Sequence, residues 1–369
     1  MTDIPTRFED TPTVAWRVAG AMAIVVVVYI VGSRIPLPGL DIGQLGGQTG
    51  YSGNAIARVS IFALGIIPLF TVLAYAEIAK LAVPPLARWH TASEANANRL
   101  NLVTGIVTIL MAGLQAYGVM VALEISGLVN PDATAFTAVG IACLVGGVVV
   151  LMWMAYGIEL PNRVSGFWLL LAIPFLSALP ADITGWLEMM RIGMYPAQDG
   201  LTVILYLVAT VALAVYANVL LSRRHGDDGT DRVLSPTILL WPPFLASMLA
   251  GYIVGTFTVF VAADMAMTGQ AAGNLIWLVS NAVLIPFFVW VYGRVYTPSG
   301  LTEERKREVK TILAIVAAVQ FAICVGAEIF YLFRPLPLDL DGKYIIVVVT
   351  VMLTLVRFPG REAAARSGA

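Results

Sequence analysis

AFTAVGIACLVGGVVVLMWMAY, residues 135–156, runs for 22 residues without one charged side chain. A bilayer core is crossed by about 20 residues of α-helix, and only a helix keeps every backbone polar group paired in lipid. The same pattern recurs on both sides of this stretch. The other runs are Val14–Gly32, Val59–Ala82, Leu102–Ser126, Gly166–Ile183, Leu201–Leu221, Thr237–Ala262, Leu275–Val295, Thr311–Leu332 and Lys343–Val356, ten in all, the fifth and tenth being the shortest. The whole chain agrees: 369 residues, 59% hydrophobic, 12% charged, mean hydropathy +0.85. A soluble domain carries roughly 25% charged residues, and a single soluble core stops growing near about 250–300 residues. The expectation is an all-α integral membrane protein with ten transmembrane helices.

Lysine and arginine orient the spans. With the N-terminus in the cytoplasm and ten alternating spans, 17 of the 22 basic residues fall on the cytoplasmic side. Only Arg34, Arg58, Arg191, Arg334 and Lys343 fall on the far side. Both termini are therefore expected in the cytoplasm. The polar start MTDIPTRFEDTPT does not read as a cleavable signal peptide.

Several kinds of chemistry find no support. A net charge of −1 gives no footprint for nucleic acid. Cys143 and Cys324 lie in apolar runs and read as free thiols, without metal or disulfide spacing. There is no G-x-x-x-x-G-K loop, and His90 and His225 lack partners at catalytic spacing. No enzyme activity, cofactor or metal is expected. Glu77 and Lys80 stand at i,i+3 near the inner end of the second span, and Glu124, Asp264 and Glu328 stand near outer ends. A proton- or sodium-coupled transporter would place carboxylates at mid-membrane.

Four segments carry a family resemblance. GSRIPLPGLD (32–41) follows the first span, and ARVSIFALGIIP (57–68) opens the second. GLQAYG (113–118) lies in the third and PPFLAS (242–247) in the seventh. Together they resemble the SecY family of protein-translocation channels, over nearly the whole chain and most strongly over about the first 120 residues.

The resemblance implies two pseudosymmetric five-helix halves, residues 1–194 and 195–369, packed as a clamshell in the plasma (inner) membrane. Inverted repeats of this kind suit proteins that open a central path. It implies a pore ring of Ile66, Phe70, Phe167, Leu171, Phe244 and Ile346. Such a ring dewets when empty and moulds around a passing chain. It implies a plug at residues 48–59, overlapping the glycine-rich GGQTGYSG (46–53), and a lateral gate marked by Thr71, Gln115, Ser247 and Asn281. Hydroxyls and amides keep such a seam openable, because their bonds in membranes are weak. The implied partners are a translocating polypeptide or membrane-protein segment, small SecE-like and SecG-like subunits, and the bilayer.

The departures concern docking. In the family, long basic hairpins after spans six and eight engage the ribosome or the SecA motor. Here the loops shrink to SRRHGDDGTDRVLSP (222–236) and YTPSGLTEERKREVK (296–310), leaving Arg223, Arg224, Arg305, Lys306 and Arg307 as docking candidates. This sets docking of either partner in question and points to a specialised paralogue. The expected function is a protein-conducting channel or membrane insertase subunit. The alternatives are a secondary transporter or exporter on a ten-helix scaffold, and a non-conducting scaffold derived from the same family.

Overall fold

The computed structural model describes residues 12–41, 58–130, 135–160, 164–194, 196–222, 237–260, 268–297, 302–333 and 341–367. Among them are eleven helices: α1 (Pro12–Gly32), α2 (Ile67–Ala82), α3 (Pro84–Ala92), α4 (Glu94–Ile125), α5 (Phe136–Gly157), α6 (Gly166–Arg191), α7 (Ala197–Ser222), α8 (Thr237–Phe260), α9 (Thr268–Tyr296), α10 (Glu303–Phe333) and α11 (Gly342–Ser367). Strands β1 (Glu159–Leu160) and β2 (Val164–Ser165) pair antiparallel just before α6. That small hairpin was not foreseen. It ends at Gly166, where a Cβ would press on the Ile158 carbonyl and side chain.

Seven helices, α4 to α10, are long and apolar enough to cross a membrane. Helices α2 and α3 form a pair bent by 110°, and α1 and α11 contribute the shorter apolar stretches Gly20–Gly32 and Gly342–Thr354. Each of the ten expected runs thus meets a helix, and α3 is additional. The bend follows from Val83-Pro84-Pro85: the residue before proline is pushed out of the helical region, and neither proline offers an N–H. Helix α4 begins on Ser93, whose extended backbone and Oγ, accepting from Asn96 N at 3.2 Å, form an N-cap.

One expectation needs correction. The second span does not start as a helix at Val59: residues 61–66 are turns, and the helix starts at Ile67. Gly65 has φ +54°, a left-handed conformation that breaks a helix and suits glycine.

The chain divides into two compact units: Met1–Glu77 with Arg88–Ile173 and Thr354–Ala369, and Ile78–Ala87 with Pro174–Leu353. In the first, α4 packs on α5, and α1 also meets α5. Helix α4 shows what kind of solvent surrounds it. Its buried face carries Thr104, Gly105, Thr108, Ala112 and Ala116, while Leu102, Ile106, Leu110 and Leu114 point outward, Leu110 being 69% exposed. Small residues inside and large apolar ones outside is the arrangement of a helix in lipid.

The segments 32–41 and 58–68, separated in sequence, meet in this unit. Leu37 N donates to Val59 O at 2.9 Å and Ile61 N to Ile35 O at 3.0 Å. Asp41 N donates to Leu128 O and Asn130 N to Gly39 O, with Gly39 at φ +87°. Two further glycines leave room for the turn segment. A Cβ on Gly32 would overlap the Phe62 ring, and one on Gly147 would overlap the Ile61 carbonyl.

In the second unit, α8, α9 and α10 pack in succession and α7 packs on α10. Polar side chains tie these helices together. Tyr206 Oη donates to Ile323 O at 3.1 Å, and buried Asn218 donates from Nδ2 to Thr350 Oγ1 at 3.0 Å.

Candidate functional site

The expected ring residues are apolar and, apart from half-buried Phe70, buried. In the first unit, Ile66 closes the turn segment and its carbonyl accepts from Phe70 N at 2.9 Å. Phe70 on α2 stacks on Phe167 of α6, with centroids 6.4 Å apart and planes 5° from parallel. Phe167 also meets Trp168 edge to face. Leu171 lies one helical turn beyond Phe167, on the same face.

In the second unit, Phe244 sits in α8 within nine consecutive buried residues, Ile238 to Ala246. Its ring meets Tyr344 of α11 edge to face at 5.6 Å, and Tyr344 stacks on Phe175 of α6 at 5.6 Å. Ile346, two residues after Tyr344, is fully buried. The Lys343 ammonium lies over the Tyr344 ring and pairs with Asp341. Tyr344 and Phe175 were not among the expected site residues. Phe175 could have been found by continuing the Phe167–Leu171 stripe by one more turn. Tyr344 carries no such mark, because a tyrosine near the end of a span is also an ordinary interfacial residue.

Of the four gate candidates, the structure brings together two. Ser247 Oγ donates to Asn281 Oδ1 at 3.2 Å, and Asn281 Nδ2 donates to Trp277 O at 3.0 Å, joining α8 to α9. Thr71 donates to Ile67 O at 2.9 Å within its own helix, and Gln115 is half-buried on α4.

The remaining candidates sort simply. Most of the plug expectation, residues 48–57, lies outside the described residues, as do Arg223, Arg224 and Asp264. Arg305, Lys306 and Arg307 stand on the exposed first turn of α10, where Lys306 pairs with Glu303 at 2.7 Å. Two of the candidate carboxylates are engaged locally: Glu124 accepts from Thr137 Oγ1, and Glu328 accepts from Trp277 Nε1 at 2.9 Å. Cys143 and Cys324 are free thiols. Among the described residues no cluster of His, Cys, Asp and Glu could hold a metal ion.

Comparison with known proteins adds five findings. The SecY family model matches residues 60–225. The SecY translocase subunit of Rickettsia typhi is 25% identical over 380 residues, covering 88% of each chain. That of Vibrio cholerae is 30% identical over 202 residues, 51% of this chain and 44% of its own. Among solved structures, a SecY channel described for the sealing role of its plug domain superposes with TM-score 0.59 at 13% identity, covering 93% and 91% of the two chains. Canine Sec61, from a ribosome–channel complex of the endoplasmic reticulum, superposes with TM-score 0.58 at 13% identity over the same shares.

Proposed function

Since this chain is a divergent member of the SecY family, we propose that it is a protein translocase channel subunit of the plasma membrane, passing polypeptides across the bilayer or into it. Its role requires no catalysis of its own. The path is lined by Ile66, Phe70, Phe167, Leu171, Phe244 and Ile346, and the energy for passage comes from outside the chain. The observation that carries this reading is the set of aromatic contacts at these positions. Phe70 stacks on Phe167, and Phe244 rests on Tyr344, each within a buried or half-buried apolar surround. The six lining side chains have no charge with which to bind an ion and no fixed pattern with which to select a sequence, and the Lys343 charge beside Tyr344 is paired with Asp341. It can seal when empty and yield to varied side chains.

The finer features follow from the same reading. Two five-helix halves, 1–194 and 195–369, form the pseudosymmetric frame, with residues 48–59 as plug and both termini in the cytoplasm. Thr71, Gln115, Ser247 and Asn281 mark the exit to lipid. The exit lies between α2 and α4 on one side and α8 and α9 on the other, and the Ser247–Asn281 bond ties the two helices of the second side together. Small SecE-like and SecG-like subunits complete the assembly. Docking of a ribosome or a SecA-type motor is reduced to Arg223, Arg224, Arg305, Lys306 and Arg307, and Lys306 is already paired with Glu303. The local partners of Glu124 and Glu328 favour a channel over a carboxylate-driven transporter.

A photo-crosslinker placed at Phe70 or Phe244 tests this. With a translocating chain arrested in the membrane, both positions should form covalent adducts to that chain. The same probe at Trp153, 74% exposed on α5, should label lipid instead. Lipid adducts alone at all three positions would overturn the reading.

A further inference from the structure

Pro242 and Pro243 stand side by side in α8, immediately before Phe244. Proline has no backbone N–H. In an α-helix each carbonyl accepts from the N–H four residues later, so the carbonyls of Ile238 and Leu239 have no donor within their own helix. Both residues are buried, and a buried carbonyl left unmet is costly.

Gln320 of α10 supplies what is missing. It is 0% exposed, and its Nε2 donates to Ile238 O at 3.0 Å and to Leu239 O at 2.9 Å. A primary amide has two N–H groups, one for each carbonyl. The cost of this arrangement lies at the other end of the side chain, where Oε1 is buried without a hydrogen-bond partner among the described residues. Leucine would fill similar space with no unmet atom of its own but would leave both carbonyls without a donor, so the return on an amide here is its pair of N–H groups.

We propose that Gln320 is a positioning residue for the constriction: its amide replaces the two backbone donors lost at Pro242 and Pro243, and so fixes the backbone from which Phe244 projects. The proposal rests on the reading of Phe244 as a lining residue of the path. It explains how two adjacent prolines are accommodated in the most deeply buried stretch of α8. It also couples α10, which contributes none of the six lining residues, to the aperture.

The test removes the donors in two backgrounds. In the otherwise native protein, reconstituted in liposomes, Gln320→Leu should speed amide hydrogen exchange across Phe244–Met248 by at least about tenfold, since it leaves two buried carbonyls unmet and one alone gives a shift of about that size. Ion flux through the empty protein should rise with it. Replacing Pro242 and Pro243 by alanine restores both backbone donors. In that background Gln320→Leu should change exchange and flux by less than about twofold, because the carbonyls no longer depend on it. An equal effect in both backgrounds would make Gln320 a general core residue and overturn the proposal. So would unchanged exchange in the native background, and if Phe244→Gly leaks in that case, the channel reading stands alone. Exchange as expected, with flux flat even in Phe244→Gly, would remove the constriction and the proposal together.

Discussion

Phe244→Gly should make the empty protein leak. In liposomes carrying an ion gradient, we expect flux to rise on the order of 100–1,000-fold over the native protein. The magnitude follows from packing. Truncating a buried phenylalanine forfeits about 3–5 kcal/mol of contact, and each 1.4 kcal/mol is tenfold in an equilibrium between sealed and open states. Phe244 loses its edge-to-face contact with Tyr344 and leaves a gap among the buried residues of α8. A gap wide enough to hold water ends the dewetting that blocks ions. Phe244→Ile should remain close to native, since isoleucine refills most of the volume. If both variants conduct no better than the native protein, Phe244 does not lie at an aperture, and the non-conducting scaffold becomes the better account.

The second large effect concerns the turn segment before α2. Gly147→Ala should destabilise the protein by about 1–3 kcal/mol, the usual cost of overpacking a filled core. Its neighbour Gly146→Ala should be neutral or slightly stabilising, because alanine is favoured over glycine in helices by about 1 kcal/mol. The contrast comes from surroundings alone. A Cβ at Gly147 would overlap the Ile61 carbonyl and crowd the Phe62 ring, whereas nothing lies within 4 Å of a Cβ at Gly146. Ile61 cannot retreat freely, because its N–H is bonded to Ile35 O and Ser60 is fully buried beside it. Thermal unfolding in detergent measures both variants. Equal midpoints would show that the turn segment is free to yield. Because that segment ends at Ile66, at the entry to α2, Gly147→Ala should also raise ion flux in proteins that remain folded.

Most of the fold was legible in the sequence, for one physical reason. Lipid admits little besides helices, so a run such as Ala135–Tyr156 fixes its own secondary structure. Helix α8 could be read despite two interior prolines, because hydrophobicity over the full run outweighs a local break. Legibility ended where the backbone leaves the helix. The turns of residues 61–66 are apolar and read as part of a span, although Gly65 and the bond from Ile61 N to Ile35 O hold them in another conformation. The β1–β2 hairpin is too short for an alternating pattern to show.

For the candidate site, apolar lining residues cannot be told from apolar packing residues by type, and only the motifs singled out Phe70 and Phe244. Contacts between distant helices were beyond reach. Nothing in the local sequence around Gln320 names Ile238 and Leu239 as its partners, although a lone amide in one span and a proline pair in another were both in view. Tyr344 likewise matters because of Phe175 and Phe244, each more than 90 residues away.

The most direct test of the central claim joins the leak to the cargo. A polypeptide bearing a folded block at one end is arrested in liposomes containing the Phe244→Gly protein, and ion flux is followed. If these residues surround the path of a passing chain, the arrested polypeptide should bring the flux back toward the native level, and releasing it should restore the leak. Flux that is indifferent to the arrested chain would mean that the ions and the polypeptide do not share a passage, and that the aromatic residues of α2 and α8 line neither.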